Sequence, residues 1–351
     1  MKVIDLTAPP RELRVRIDPS PAYDFLACLY LLSCGEESLD FEMSPRWIAQ
    51  ARAALGPELR ADLSLLLPWR GRTLGLVGVM DGHQGLSVRE FIKRVAATPA
   101  DDLLELMLAE SLADRHALPL LRSAIGRSGQ AVEAFVAAIH PDIDRRPLRR
   151  LVSMPPAEVK ARLARLLREG YARVYAPREG EVVPLLERDA AALVRRAATV
   201  SGSELIEYAT GGFVVGPDAP VMGVVLAPTY YFRPYNLITA YHGVRVYVYP
   251  LETSPHSGAP PADLVRFYKA LADETRLRIL RLLAGREMYL QELAKALGLS
   301  HVTVLHHIAL LRAARLVQIV ERGNAKYYRL RADRAREAAT LWQEFAGPQE
   351  G

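Results

Sequence analysis

The feature that most constrains the fold of this chain is an uninterrupted block from Phe267 to Arg331. In this block, three helical segments with apolar residues three to four positions apart are followed by two short alternating runs around a Gly-Asn turn. This order of elements is the one that a winged helix-turn-helix requires. The block therefore predicts a module that binds double-stranded DNA.

Basic charge is concentrated in the same part of the chain. Residues 261–331 hold thirteen Lys or Arg against six Asp or Glu, and because the whole chain carries +5, the remainder carries −2. A basic surface on one module is typical of phosphate binding, and the affinity of such binding falls steeply as salt rises. A solvated charged surface, or a winged helix used for protein contacts, is the alternative. The coincidence of charge with the helical pattern favours DNA.

The composition of the whole chain indicates a globular protein. Its 351 residues suggest two or three domains, each large enough to bury a core, and half of the residues are apolar. No run of eighteen apolar residues and no signal-type N-terminal segment occurs, so we expect a soluble, cytoplasmic chain with no membrane partner. Cys28 and Cys34 are the two cysteines, a number that fits a reducing compartment and predicts two packing residues.

The sequence predicts four stretches of different character. Residues 1–199 show mostly helical periodicity. Residues 200–251 contain Val-rich and Tyr-rich runs bounded by Gly, Pro and Asn, which predict a small antiparallel sheet that completes or follows the helical domain. The Ser, Gly and Pro residues of TSPHSGAPP indicate a linker over 252–261, and 262–346 is the winged helix-turn-helix and dimerisation domain. The predicted fold class is therefore mainly α with small β.

Several of the predicted N-terminal helices begin at Ser or Pro, as helix starts commonly do. The predicted helices are 21–33, 45–55, 57–66, 87–97, 100–112, 130–140, 156–176 and 181–198. The last two are rich in Arg, and we expect the second of them to turn back on the first. Two short alternating runs, 2–5 and 12–17, predict strands before the first helix.

Three residues set the predicted helix boundaries of the C-terminal block. Asp273 is placed to cap the helix 274–284, Gly298 supplies the left-handed turn residue, and Ser300 caps the next helix. That next helix, 301–314, is the predicted recognition helix, which enters the major groove.

The predicted DNA contacts follow from the helical period. With Val304, Ile308 and Leu311 turned inward, the outward N-terminal positions of the helix face base edges, and its other polar positions face phosphates. Leu305 either meets a thymine methyl group or faces inward. The predicted DNA-binding residues are Ser300, His301, Val302, Thr303, Leu305, His306, His307 and Arg312 on the helix and Arg322, Asn324 and Lys326 on the wing.

Two stretches of this block, ALADETRLRILRLL and LSHVTVLHHIALLRAARLV, resemble the opening and the signature of the ArsR/SmtB family of winged-helix repressors. The resemblance covers residues 263–331. It implies a homodimer formed through the first and last helices, and a homodimer implies a pseudo-palindromic operator. The residues that the resemblance places at the dimer interface are Leu264, Phe267, Leu271, Leu341, Trp342 and Phe345.

The chain departs from the metal-sensing members of that family. Those members carry a Cys-x-Cys pair in the third helix, but residues 287–291 hold no thiol, and residues 332–351 contain no His for the other usual site. Elsewhere, Asp81-Gly-His83 and His140-Pro-Asp142 have ligand-type residues at short spacing, but such sequences are common in turns. We therefore expect no metal and no cofactor.

An aromatic cluster precedes the linker and has two interpretations. Aromatic walls with a few polar tips are typical of pockets for small organic molecules, so the cluster can line an effector pocket. Alternatively, it is the packed face of a sheet or part of a dimer interface. The residues in question are Tyr230, Tyr231, Arg233, Tyr235 and His242.

Two hypotheses for function follow. The first is a homodimeric transcriptional repressor without enzymatic activity, whose N-terminal region senses an unknown small-molecule effector or mediates association. The alternative is an N-terminal enzyme or ligand-processing domain fused to a DNA-binding tail. No HExxH, GxSxG or Cys/His nucleophile pattern occurs, which favours the first.

Overall fold

The computed structural model describes residues 13–34, 40–68, 73–141, 143–216, 218–219, 221–252, 260–323 and 325–346. Within these ranges the chain is mainly helical with short strands, as the sequence predicts. The α-helices are α1 Pro21–Ser33, α2 Pro45–Leu66, α3 Val88–Ala97, α4 Ala100–Ala109, α5 Leu118–Ala124, α6 Gln130–Ala138, α7 Arg145–Ser153, α8 Pro156–Gly170, α9 Ala176–Ala197, α10 Gly202–Thr210, α11 Ala262–Leu271, α12 Glu274–Gly285, α13 Leu290–Leu297, α14 His301–Ala313 and α15 Arg334–Ala346.

The strands form two four-stranded sheets, ordered β1-β3-β5-β4 and β2-β7-β8-β6. The strands are β1 Val15–Ile17, β2 Phe213–Val215, β3 Gly223–Thr229, β4 Leu237–Tyr241, β5 Val244–Pro250, β6 Met288–Tyr289, β7 Val317–Arg322 and β8 Ala325–Leu330. The strand predicted over residues 2–5 and most of the predicted linker lie outside the described residues.

The chain folds into two compact units. The N-terminal unit comprises the described residues of Arg16–Val194 and Gly223–Leu251, and the C-terminal unit comprises residues 13–15 and the described residues of Arg195–Met222 and Glu252–Gly351. In the described part of the chain, no single helix is long and apolar enough to cross a membrane, and α13 and α14 reach the required length and apolar composition only as a bent pair.

The core of the N-terminal unit is built around α1. This helix is apolar on all sides, and its residues from Ala22 to Leu32 are all buried, as expected for a helix without a polar face. Phe25 meets Tyr171 and Tyr175 edge-on, with ring centroids 6.1 and 5.5 Å apart. Helix α1 therefore has neighbours on every side.

The sheet of this unit is mixed, which corrects the predicted antiparallel sheet. Strands β4 and β5 form an antiparallel pair, but β3 pairs with β5 in parallel, from Gly223 opposite Val244 to Thr229 opposite Pro250. Every residue of β3 is buried. Continuous burial is typical of parallel strands, and a run of apolar residues alone does not distinguish the two pairings.

The two Arg-rich helices do not form the expected hairpin. Helix α8 passes through a π-helical turn, Tyr171–Tyr175, directly into α9, with no loop between them. The predicted reversal is wrong because the backbone stays helical from Pro156 to Ala197, which leaves no turn where the second helix could fold back on the first. By contrast, the predicted division into helices 45–55 and 57–66 is confirmed, because Gly56, with φ 73° and ψ 172°, interrupts the helical backbone of α2 with a kink.

The grouping of residues 200–251 as one β-rich segment also needs correction. Residues 202–210 form helix α10, which begins at Ser201 with a capping box. Strand β2 pairs with β7 in the wing, whereas β3, β4 and β5 belong to the other sheet. This segment of the sequence is therefore divided between the two units.

The C-terminal unit has the predicted order of elements. Helices α11 to α14 are followed by the antiparallel hairpin β7-β8 and by α15. The caps are confirmed: Asp273 accepts a hydrogen bond from the backbone N–H of Arg276 at 2.8 Å, and Ser300 accepts one from Thr303 at 3.1 Å. Gly298 is left-handed, with φ 68°, between α13 and α14.

Candidate nucleic-acid interface

The N-terminal surface of helix α14 carries both polar and apolar side chains. Val304, Ile308 and Leu311 are buried, as the helical period predicts, so the helix is fixed to the core along one face. On the opposite face His301 and Val302 are exposed, and Val302 leaves 57% of its surface uncovered. Such an exposed helix N-terminus has the geometry that base reading in a major groove requires.

The hydroxyl groups at the start of α14 are engaged with each other. Ser300 Oγ accepts from the N–H of Thr303 and lies 2.8 Å from its Oγ1. Ser300 is therefore first a helix cap, and Thr303 remains exposed beside it.

The middle of α14 is half-buried. Leu305, His306 and His307 are each partly covered, and the rings of the two histidines lie 5.9 Å apart. His307 Nδ1 lies 3.8 Å from Asp273 Oδ1. Partial burial lowers the pKa of His307, against the opposing effect of Asp273, so the neutral imidazole is favoured at this position. His307 thus faces the body of the unit more than His301 does.

The end of α14 is tied to other elements of its unit. The guanidinium of Arg312 lies over the ring of Phe213, 3.9 Å from its centroid, and Arg315 forms an ion pair with Glu252 at 3.1 Å. Stacking uses the face of a guanidinium, whereas its N–H donors lie on the rim. Arg312 is therefore held in one orientation.

The wing carries its cations on both strands. Arg322 pairs with Glu287 at 2.9 Å and lies over Tyr327, while Lys326 lies 3.8 Å from Glu321 across the hairpin. Asn324, the predicted residue at the tip, lies outside the described residues.

Sequence reasoning missed two features at the base of the wing. Arg329 also approaches Glu287, at 3.6 Å, so one carboxylate serves two wing arginines. The hydroxyl groups of Tyr289 and Tyr327 are hydrogen-bonded to each other. The pairing of β6 with β8 brings these groups together, and the sequence predicted no strand at residues 288–289.

Only part of the predicted dimer surface is exposed. Leu264 and Phe267 are buried within the unit, and Leu271 and Leu341 are half-buried. Phe267 lies under the guanidinium of Arg334 at 5.6 Å. These apolar residues therefore contribute to the packing of the subunit itself.

Three aromatic side chains of α11 and α15 form an exposed patch, here called the aromatic patch. Tyr268, Trp342 and Phe345 leave 51%, 49% and 40% of their surfaces uncovered. The ring of Trp342 lies 6.3 Å from Tyr268 and 6.4 Å from Phe345. Tyr268 was not among the predicted interface residues, although it is one position after Phe267 on the same helix.

The predicted effector-pocket residues are mostly packed in the N-terminal unit. Tyr231 is buried and stacks on Trp47 at 5.0 Å, and Tyr235 packs edge-on against Phe41 at 5.2 Å. His242 is exposed in the turn between β4 and β5.

The remaining two predicted pocket residues lie together. Tyr230 is half-buried, and Arg233 is buried over its ring at 4.5 Å. Three of the five residues are therefore buried, Tyr230 is half-buried and His242 is exposed.

The side chains considered as metal ligands have other partners. Asp81 accepts a hydrogen bond from Tyr241 at 3.0 Å, His83 is exposed, and Asp142 lies outside the described residues. In the part of the chain that the structure describes, no group of three or more His, Cys, Asp or Glu side chains is placed to hold a metal ion. Cys28 and Cys34 are both buried.

Comparisons with known proteins place the C-terminal block in a family. Residues 273–318 match the model described as bacterial regulatory protein, arsR family. The HTH-type transcriptional regulator KmtR of Mycobacterium tuberculosis is 40% identical over 88 residues, which cover 24% of this chain and 68% of the relative. The transcriptional repressor SdpR of Bacillus subtilis is 33% identical over 63 residues, which cover 18% of this chain and 70% of the relative.

Two further similarities were found, one to a sequence and one to a solved structure. The transcriptional repressor SmtB homolog of Synechocystis sp. is 38% identical over 68 residues, which cover 19% of this chain and 52% of the relative. Among solved structures, NolR from Sinorhizobium fredii is 28% identical, and the match covers 28% of this chain and 98% of that chain with a TM-score of 0.22.

Proposed function

The chain belongs to the arsR family of bacterial regulatory proteins and carries the DNA-binding domain of a transcriptional regulator, and we propose that it acts as a homodimeric repressor on a pseudo-palindromic operator. In this proposal α14 enters the major groove and the wing follows the neighbouring backbone or minor groove. The protein works in the cytoplasm, where bacterial DNA is accessible.

The observation that carries the proposal is the exposed N-terminal face of α14. His301 and Val302 point away from the core, while Val304 and Ile308 anchor the helix from behind. Imidazole N–H groups can donate to base acceptors, and an exposed Val side chain fits a thymine methyl group. The combination supports base reading by a rigidly held helix.

The cations around this face support phosphate contacts. Arg322 and Lys326 lie at the end of the wing hairpin, on either side of its turn. Each phosphate contact releases counterions, so affinity should decrease linearly with the logarithm of salt concentration. Both cations also have a carboxylate beside them, since Arg322 pairs with Glu287 and Lys326 lies 3.8 Å from Glu321, which reduces the local positive charge.

The aromatic patch supports a dimer. Exposed contiguous apolar surface marks interaction sites, and aromatic residues are enriched in the centres of protein interfaces. A two-fold pairing of the patch, formed by Tyr268, Trp342 and Phe345, would place two copies of α14 on successive half-sites of an operator.

The names of two relatives support repression, because both the SmtB homolog and SdpR are called transcriptional repressors. The N-terminal unit then regulates DNA binding, either by sensing an effector or by mediating association. A ligand regulates such a protein only through different affinities for its DNA-competent and incompetent states. We propose no catalytic step for this unit.

A titration onto labelled DNA from directly upstream of the protein's own gene tests the proposal. Saturable binding of the full chain is expected to survive an excess of unrelated DNA of equal length, with two subunits bound per operator. Binding that the unrelated DNA abolishes at two salt concentrations would contradict a sequence-specific repressor.

A further inference from the structure

Strand β2 covers the free edge of the wing. Without it, the sheet would be ordered β7-β8-β6 and β7 would be an edge strand. Instead, Phe213–Val215 pairs with residues 319–321 in parallel. The backbone N–H of Ile319 donates to the carbonyl of Gly212 at 2.8 Å, and that of Gly216 donates to the carbonyl of Glu321 at 2.9 Å. β7 is therefore hydrogen-bonded along both edges.

The close approach of β2 to β7 depends on a glycine at its end. A Cβ on Gly216 would lie 2.3 Å from the carbonyl oxygen of Glu321. That oxygen belongs to a backbone fixed between two strands, so it cannot move away as the end of a flexible side chain could. Only glycine fits at this position without displacing β2 from the wing.

Side-chain contacts also attach the segment from α10 to β2 to the rest of the C-terminal unit. Gln318 donates to the carboxylate of Glu207 on α10, and its amide oxygen accepts from Arg329 of β8 at 2.9 Å. Phe213 of β2 supports Arg312 at the end of α14 through the stacking contact described above. The segment from α10 to β2 thus contacts α14 and β7, and Gln318 of β7 connects this contact to β8.

Strand β2 ends beside the wing residues that are predicted to contact DNA. Glu321, which accepts from Gly216, directly precedes Arg322 and lies opposite Lys326 in the hairpin register. The last hydrogen bond of β2 is therefore next to the two predicted wing cations. This contact lies outside residues 273–318, which match the family model.

We propose that β2 is a positioning element of the DNA-binding site, which holds the wing so that Lys326 and Arg322 meet the DNA. A free two-stranded wing must be ordered when it binds, and ordering side chains and backbone costs affinity. A strand that is already hydrogen-bonded to β7 removes that cost. The inference rests on the proposed function, since it concerns contacts made with DNA.

A double-mutant cycle on the full chain tests the inference. Gly216→Ala dislodges the end of β2, Lys326→Ala removes a wing cation, and Gly285→Ala is the matched control because a Cβ there meets nothing within 4 Å. We measure operator affinity by fluorescence anisotropy at several salt concentrations. Lys326→Ala should weaken binding by the parent and by the Gly285→Ala chain about tenfold, as loss of a charged hydrogen bond does.

In the Gly216→Ala background the same change should weaken binding less than about twofold, because the cation is no longer held against the DNA. In the parent background, Lys326→Ala should also lower the slope of log affinity against log salt concentration by about one unit. In the Gly216→Ala background the same substitution should leave this slope unchanged. If Lys326→Ala weakens binding by the same factor in both backgrounds, the inference is overturned. Such a result would mean that Gly216→Ala only destabilises the protein, which reduces the number of folded molecules without changing the contacts of the wing with DNA.

A second variant covers the case in which Gly216→Ala prevents folding, as judged by the thermal unfolding midpoint. Glu207→Ala removes the bond from α10 to Gln318 and leaves the backbone unchanged. The effect of Lys326→Ala should be reduced there too, and an unreduced effect would overturn the inference. If the unaltered chain binds no DNA specifically, the proposed function fails, and the inference fails with it.

Discussion

Asp24 is a buried carboxylate in the first turn of α1, and its hydrogen bonds explain how it is accommodated. Its Oδ1 accepts from the Thr229 hydroxyl at 2.6 Å and from the N–H groups of Tyr230 and Tyr231 at 2.8 and 3.2 Å. Its Oδ2 accepts from the Tyr175 hydroxyl at 3.0 Å. Burial raises the pKa of Asp24, and these donors oppose the rise. One side chain of α1 thus organises the aromatic segment after β3.

We predict that Asp24→Ala destabilises the protein by at least about 3 kcal/mol, because several buried donors lose their acceptor. Asp24→Asn should cost much less, because its carbonyl oxygen can keep the three bonds to Oδ1 and its amide can donate to the hydroxyl of Tyr175. Denaturant unfolding of both variants measures the difference. Equal losses for the two substitutions would show that the donors do not determine the stability of this site.

The lowered pKa of His307 predicts that the stability of the folded protein depends on pH. Partial burial lowers its pKa below the ordinary value of 6.5, so the unfolded chain takes up a proton more readily than the folded chain. The stability associated with His307 is therefore complete above about pH 6.5 and is lost as the pH falls below it. Asp273 opposes this loss, and His306 and Arg276 add to it.

Unfolding midpoints at pH 7.5 and 5.5 test this sign. The parent should lose more stability on acidification than His307→Gln does. His301→Gln, which alters an exposed histidine, should behave like the parent. An identical acid loss in His307→Gln would rule out His307 as the titrating group.

At the residue scale, the sequence was sufficient to predict those features that depend only on residues close by in the chain. The caps Asp273 and Ser300 and the turn residue Gly298 were predicted because a cap depends on neighbours within three residues. The role of Asp24 was not predictable, since Thr229 is 205 positions away. Likewise, helical spacing selected Phe267, and only tertiary packing distinguishes it from the exposed Tyr268.

At the element scale, the proposed function gives α14 and the wing different roles, so substitutions in the two elements should have different kinds of effect on DNA binding. Arg322→Ala or Lys326→Ala should weaken binding to all DNA sequences by a similar factor and lower the salt slope by about one unit. His301→Ala or His306→Ala should instead change the order of preference among operator variants. Binding to a panel of single-base operator variants measures both effects. A wing variant with unchanged affinity and salt slope would remove the wing from the interface.

Helices and strands were easier to predict than the way they pair. Helix α1 and the hairpin β7-β8 follow from periodicity and a turn, both short-range properties. The pairing of β2 with β7 joins segments about a hundred residues apart. Strands β3 and β5 pair in parallel although β4 lies between them in the sequence. Nothing in a strand's own composition specifies such partners. The sequence therefore predicted the wing but not its fourth strand.

At the scale of the whole molecule, the chain leaves the N-terminal unit at Val194, contributes α10 and β2 to the DNA-binding unit, and returns at Gly223. With the passage from Val15 to Arg16, the backbone crosses between the two units three times before the predicted linker is reached. Composition predicted a boundary only at residues 252–261, because Ser, Gly and Pro are the residues that mark boundaries in a sequence, and it gave no signal at Val194 or Gly223.

The oligomeric state provides the last prediction, because operator binding by two half-sites depends on it. Trp342→Glu places a charge in the aromatic patch and should convert the dimer to a monomer, since an unpaired charge at the centre of an apolar interface is strongly disfavoured. Affinity for the complete operator should then fall by about a hundredfold or more, whereas affinity for a single half-site should stay within about twofold. Leu120→Glu is the matched control, since Leu120 is also an exposed apolar residue but lies on α5 of the N-terminal unit. Sedimentation velocity and anisotropy on both DNAs give the two readings. A Trp342→Glu chain that remains dimeric would exclude the aromatic patch as the interface, and the two copies of α14 would then have to be paired by another surface.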